Sequence, residues 1–272
     1  MSATITALVA SAIVIAGLMM VTWAVSLVRR NASIVDIVWG IGFVLVAWVV
    51  LVTTSGNGLR RGALVAMTTI WGLRLATHLL IRNTGRGEDF RYRAMRRRHG
   101  DRFGAVSLYS VFGVQGGLMW VVSLPVQLGQ TSHRSVGALL PMGVAAWAVG
   151  LFFEAVGDAQ LARFKKDPAN AGSVMDRGLW RYTRHPNYFG DACVWWGIAI
   201  VAAETGIGAI GIVGAVVMTW LLRRVSGVTL LEKSLVKRRQ GYTEYIARTS
   251  PFIPRRPRRR RPRRDARRMA SR

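Results

Sequence analysis

From Ile5 to Val28 the chain runs 24 residues without a charged side chain. At about 1.5 Å of rise per residue this is roughly 36 Å of α-helix, enough to cross a hydrocarbon layer about 30 Å thick. Inside such a layer each segment must satisfy its own N–H and C=O groups, and a helix does so within a single segment. No Lys or Arg precedes the run, and Arg29 and Arg30 follow it. That order is the reverse of a secretory signal peptide, so the run is read as a retained span. Further apolar runs lie at about Ile34 to Val52, Gly62 to Ile81, Ala105 to Gln127, Val136 to Val156, Asp191 to Ala203 and Ile207 to Leu222, the sixth being short. The pattern predicts an all-α integral membrane protein of seven transmembrane helices over residues 1–253, with no room for a separate soluble catalytic domain.

Charge decides orientation. The chain carries 38 Lys+Arg against 13 Asp+Glu, a net +25. Basic residues follow spans one, three, five and seven, whereas the alternate connections hold few. Cytoplasmic loops hold the excess of Lys and Arg, so the N-terminus is expected outside and the C-terminus in the cytoplasm. Residues 254–272 contain eleven Arg and one Asp, leaving +15 for the rest of the chain. With Pro254, Pro257 and Pro262 interleaved and no apolar face, this segment reads as a disordered cytoplasmic tail that anchors on anionic lipid headgroups. Nucleic acid is disfavoured because no aromatic residues interleave the Arg run. The preponderance of Arg over Lys, together with the bacterial-type motifs quoted below, points to a prokaryotic cell (inner) membrane, and the loop asymmetry places the expected active site on the cytoplasmic face.

Cys193 is the only cysteine, which excludes an internal disulfide and Cys-rich metal sites. His78, His99, His133 and His185 show no ligand spacing, so no metal is expected. No internal repeat and no dinucleotide fingerprint is present. Gly113 with Gly117, and the cluster Gly206, Gly208, Gly211 and Gly214, read as close helix-packing positions.

Ionisable residues within spans cost about 2.5 to 3.5 kcal/mol at a helix centre and are functional candidates by default. Asp36 opens span two, Arg74 and His78 lie four apart on one face of span three, and Glu154 and Asp158 lie four apart at the end of span five. A second concentration runs from Asp158 to Asp191. Arg163, Lys165, Lys166, Arg177, Arg181 and Arg184 there can neutralise phosphates. Trp180, Tyr182, Tyr188 and Phe189 offer flat faces for stacking, which together suit a nucleotide. Pro186 restricts His185 to extended geometry, so Arg184 to Asn187 should form a fixed turn into span six. A third concentration, Glu232 to Pro254, reads as a juxtamembrane amphipathic helix.

At "DRGLWRYTRHPNYFGDACVWWG" (Asp176 to Gly197) the sequence resembles the steroid 5-alpha-reductase family, and more closely its bacterial branch long filed as a domain of unknown function, DUF1295. "SIVDIVWGIGF", "WGLRLATHLLIR", "GEDFRY", "LPVQ", "DAQLARFKKDP" and "SGVTLLEKSL...YTEYIARTSPFIP" extend the resemblance over roughly residues 30 to 254. It implies an NADPH-dependent membrane reductase that passes a hydride to an activated C=C bond of a lipid-like enone entering from the bilayer. The positions it implies for the cofactor are Arg74, Arg86, Asp158, Lys165, Asn187, Tyr188, Asp191, Glu232 and Tyr245, to which the residue reading adds His78, Arg163, Arg184 and His185. Asp36, Trp71 and Tyr188 are the candidates for catalysis. Span two has Asp36 but no Gln-Glu pair, and Trp71 stands where ketosteroid enzymes carry a Tyr, which argues against a steroid 3-ketone as substrate. Asp191 keeps the carboxylate where those enzymes have Glu.

Two other readings compete. A membrane methyltransferase of the isoprenylcysteine carboxyl type shares the "RHP" turn and would use S-adenosylmethionine. That cofactor needs no phosphate clamp, so the basic residues favour NADPH. A non-enzymatic lipid-binding protein would explain the tail and glycines but leaves Arg74, His78, Asp158 and Asn187 without a purpose. No obligate protein partner is implied.

Overall fold

The computed structural model describes residues 2–225, 232, 235–236 and 238–258; the motif segment 226–231 and the greater part of the expected tail, 259–272, lie outside the described residues. Among the described residues the chain is helical and no strand forms. Six stretches are long and apolar enough to cross a membrane: Ala3–Val28, Ile34–Thr53, Gly58–Asn83, Phe90–Val122, Leu139–Lys166 and Ile207–Val225. The short sixth run forms a helix, Pro186–Ala203, that is not among them, because its first turns carry Asn187 and Asp191.

Local chemistry sets the helix limits. α1 (Ala3–Val28) starts where the Ser2 hydroxyl accepts from the Ile5 N–H. α2 spans Ile34–Thr53. α3 (Gly58–Asn83) begins a turn earlier than its apolar run, because Asn57 caps it by accepting from the Arg60 N–H. After α4 (Phe90–His99) and α5 (Phe103–Ser107), a π-helical turn at Leu108–Gly113 leads into α6 (Val114–Val122) and α7 (Leu124–Gly129). α8 (Leu139–Lys166) continues ten residues past the apolar run that announced it. Nothing in "DAQLARFKK" breaks a helix until Asp167 and Pro168. Pro186 occupies the first position of α9 (Pro186–Ala203), where its missing N–H is harmless. α10 (Ile212–Trp220) and α11 (Tyr242–Arg248) follow.

The chain divides into two compact units: residues 1–151 with 192–219, and residues 152–191 with 220–272. In the first, α2 packs along both α1 and α3. Gly40 and Gly72 make the α2–α3 crossing possible: a Cβ on Gly40 would sit 2.2 Å from the Gly72 carbonyl oxygen. A second small-residue crossing joins Gly143 of α8 to Gly197 of α9, where a Cβ on Gly197 would lie 2.6 Å from the Gly143 carbonyl oxygen. Gly113 and Gly117 do not form the packing pair expected of them. Gly117 faces open space, and the contact falls instead on Gly116, against Met19 and Ile15 of α1. Gly211 and Gly214 do pack closely, against Pro125 and Val122. At one end of this unit the fully buried Arg60 pairs with Glu204 at 3.4 Å and donates to the carbonyls of Ser132, Arg134 and Ser135.

The second unit is built on the polar turns of α8 and the start of α9. Gly178 has φ of 57° and touches the Gln160 amide, whose oxygen accepts from the Leu179 N–H. Trp180 is thereby placed to donate its indole N–H to the Gly157 carbonyl at 3.0 Å. Residues 250–258 lie back along this turn. Arg184 N–H donates to the Ser250 carbonyl, the Thr183 hydroxyl to the Phe252 carbonyl, and Arg255 N–H to the Tyr182 carbonyl. The first residues of the Arg-rich segment are therefore ordered by backbone hydrogen bonds.

Candidate functional site

The two units carry separate groups of the residues singled out by sequence. In the first unit, Asp36 lies in the first turn of α2. It accepts from the Tyr92 hydroxyl at 2.9 Å and from Arg91 at 3.1 Å, and Gln115 of α6 donates to the Tyr92 oxygen at 3.0 Å. The segment preceding α4 is tied to the α1–α2 turn by further bonds. Ala32 N–H donates to Glu88, and Asp89 N–H to the Ser33 hydroxyl. Burial raises the Glu88 carboxyl, but hydrogen bonds from Arg96 and the Ala32 N–H outweigh that and hold it below the ordinary glutamate range. Asp89 is likewise held low by Arg91, against the opposing effect of burial.

Trp71 is fully buried in a chain of edge-to-face rings, Trp39, Phe43, Trp71 and Trp195, with centroids 4.6 to 5.6 Å apart. The indole N–H groups of Trp39, Trp71 and Trp195 find no hydrogen-bond acceptor among the described residues, although buried indoles commonly have one. Arg74 and His78 follow Trp71 on α3, both half-buried, and Arg86 is exposed beyond the helix.

In the second unit, two polar assemblies form around the start of α9. In one, Glu232 accepts from Arg184 through Nε at 2.7 Å and Nη2 at 3.2 Å, and lies 3.1 Å from His185 Nε2. Arg184 is buried and also donates to the Ile246 and Thr249 carbonyls, so its guanidinium serves the interior of this unit. Burial raises the Glu232 carboxyl, yet the hydrogen bonds from His185 and Arg184 outweigh it and hold the group below its ordinary range. The His185 ring stacks on Tyr188 with centroids 5.4 Å apart and planes within 4°.

In the other assembly Asn187 Nδ2 donates to Asp158 Oδ1 at 3.1 Å. Asn187 Oδ1 is buried and has no partner among the described residues. Asp191, one turn further along α9, is buried beside them in sequence. Tyr245 is buried and donates its hydroxyl to the Trp180 carbonyl. Burial raises its phenol and pushes the neighbouring Tyr242 up to about 12, so both stay protonated at neutral pH. Arg163 and Lys165 stand exposed on the last turns of α8. Among the described residues no three His, Cys, Asp or Glu side chains are grouped to hold a metal ion.

The residue-by-residue reading overlooked Arg91, Tyr92, Gln115 and the two indoles beside Trp71. Their partners lie far away in sequence, Tyr92 being 56 residues from Asp36, and only the family-like string "GEDFRY" marked the segment. The six long apolar helices define the class: an α-helical chain built as an integral membrane protein. A family model described as protein of unknown function (DUF1295) matches residues 22–249, and the chain belongs to that family. No curated protein and no solved structure matches the chain.

Proposed function

We propose that this protein is an NADPH-dependent membrane reductase that transfers a hydride to an activated C=C bond of a neutral, lipid-like substrate. The observation that carries the reading is the Asn187 amide. Its nitrogen half is held by Asp158, and its oxygen half is buried with no donor to accept from among the described residues. A buried acceptor without a donor costs about 1 to 3 kcal/mol, and the carboxamide N–H of a nicotinamide fits that requirement. The dinucleotide supplies the hydride when bound.

The remaining chemistry falls to side chains of this chain. Asp158 fixes which end of the Asn187 amide is presented. Glu232 anchors Arg184 and His185, and His185 in turn holds the Tyr188 ring by stacking. Arg163 and Lys165 supply positive charge for phosphates, and Asp191 and Tyr245 complete the binding set of this unit; the resemblance to the reductases adds Arg74 and Arg86. The indole N–H of Trp71, a donor without an acceptor among the described residues, is suited to a conjugated carbonyl, whose oxygen gains charge as hydride arrives at the β-carbon. An indole cannot supply the proton that completes the reduction. The reading includes seven membrane crossings, an outside N-terminus and a cytoplasmic site in a prokaryotic inner membrane, supported by the distribution of Lys and Arg.

The test is to denature the detergent-purified protein, identify the released cofactor by mass spectrometry, and measure thermal stabilisation by NADPH and by S-adenosylmethionine. Released NADP(H) with stabilisation by NADPH is expected. Stabilisation by S-adenosylmethionine alone overturns the reductase and moves the chain to the methyltransferases.

A further inference from the structure

The second unit contains an open groove of about 2000 Å³ that neither the Glu232 nor the Asn187 assembly lines, and it gathers Arg177, Arg181 and Tyr182 from the polar stretch between α8 and α9. Its walls are the turns around residues 171–182, α11 and residues 256–258. Arg177, Arg181, Arg248, Arg256 and Arg258 all line it, together with Tyr182, which is 42% exposed. Arg248 pairs with Asp176, and no carboxylate among the described residues pairs with the other four arginines. Five guanidinium groups converging on one concavity repel one another in the absence of an anion, and their planar forks match phosphate oxygens.

The groove is built from fixed backbone. Arg177 and Arg181 flank the turn fixed by the Gln160 bond to Leu179 and the Trp180 bond to Gly157. Arg255 N–H donates to the Tyr182 carbonyl and Arg258 N–H to the Arg248 carbonyl, so the opposite wall is also held in register. Two carboxylates, Asp176 and Glu244, share the lining. Carboxylates are ill suited to an anionic lipid surface, but they accept readily from ribose hydroxyls and an exocyclic amine. The exposed Tyr182 ring offers a face for a purine. Arg256 and Arg258 lie beyond residue 249, where the family match ends.

We propose that this groove holds the adenosine end of the dinucleotide and that its arginines read the 2′-phosphate, selecting NADPH over NADH. The proposal rests on the reductase reading and names the determinant of its cofactor preference. In the groove the arginines surround the third phosphate, Tyr182 faces the purine, and Glu244 accepts from the sugar or base.

The test uses the full chain in detergent, with titration calorimetry of adenosine 2′,5′-bisphosphate against adenosine 5′-monophosphate, which differ by the 2′-phosphate. The same titrations are run on Arg177→Ala/Arg181→Ala and on Arg256→Ala/Arg258→Ala. The wild type should prefer the bisphosphate by at least tenfold. Each double variant should lose most of that preference while keeping its affinity for the monophosphate and its melting temperature. Absence of the preference in the wild type, or its survival in both variants, overturns the proposal. A parallel titration with NADPH and NADH separates the two readings. Equal binding of both defeats the groove assignment and leaves the reductase intact, whereas binding of neither defeats the reductase and the assignment with it. Flotation with neutral phosphatidylcholine vesicles, with and without phosphatidylglycerol, completes the set. If the arginine substitutions abolish a preference for anionic vesicles and leave bisphosphate binding unchanged, the groove is a lipid site and the proposal fails.

Discussion

At Asn187 a single side chain joins local geometry to chemistry. Pro186 starts α9 one residue earlier, so Asn187 stands in the first turn with its amide nitrogen against Asp158. Replacing it by Ala removes the buried acceptor, and NADPH affinity should fall at least tenfold, equivalent to about 1.4 kcal/mol. Calorimetry on a variant that elutes as the wild type does checks this, and unchanged affinity removes Asn187 from the site. Glu232 acts differently, as an anchor. Its carboxyl is held below the ordinary range by His185 and Arg184, so its contribution to stability is complete above about pH 4.3 and disappears as pH falls through the depressed folded value. Glu232→Gln should therefore melt well below the wild type at pH 7. The two curves should converge only in acid below the depressed folded value, where the wild-type carboxyl is also neutral. A gap that stays constant across that range refutes the role of the charge.

Between helices, the decisive contacts are backbone approaches that only glycine permits. At the α2–α3 crossing a Cβ on Gly72 would meet the Gly40 carbonyl oxygen at 2.5 Å, a separation that no side-chain rotation relieves. Gly72→Ala should sharply reduce the yield of monodisperse protein. Gly117→Ala, with open space around it, should be neutral or slightly stabilising, since Ala in a helix is favoured over Gly by about 1 kcal/mol. The contrast is read by fluorescence-detected size exclusion. Sequence spacing had pointed to Gly113 and Gly117 instead, because a four-residue interval marks a face without saying what the face meets. The same limit recurs elsewhere. The apolar runs located six of the seven expected spans, since length and absence of charge are properties of one segment, but not their polar extensions: the fourth stretch begins at Phe90 and α8 continues to Lys166. The Asp36–Tyr92–Gln115 network and the indoles around Trp71 depend on partners from other helices. Asn187, Asp158 and Tyr245 were legible because motif and residue type coincide there, whereas Arg184, expected to meet phosphate, lies buried on Glu232 and two carbonyls.

On the scale of the molecule, the end of the chain tests how far the folded unit extends. The family match stops at residue 249, yet the next nine residues complete the second unit. Ser250 and Phe252 accept from the Arg184 N–H and the Thr183 hydroxyl, and Thr183 is fully buried. The Phe252 ring packs edge-on to Phe189 at 6.1 Å with Arg223 over its face. Truncation after Thr249 would leave both donors unsatisfied, at about 1 to 3 kcal/mol each, and remove a buried aromatic ring. It should abolish cofactor binding and lower the melting temperature. Truncation after Arg258 removes eight Arg and one Asp, a net +7 of the +25, and none of those bonds. Each basic residue near an anionic leaflet contributes only about 1 kcal/mol, which is minor for a chain already held by several spans. The shorter deletion should therefore remain in the membrane fraction, melt as the full chain does and keep its preference for adenosine 2′,5′-bisphosphate, because Arg256 and Arg258 are retained. Loss of that preference in the shorter deletion would place the phosphate-reading charge in residues 259–272 and remove it from the groove.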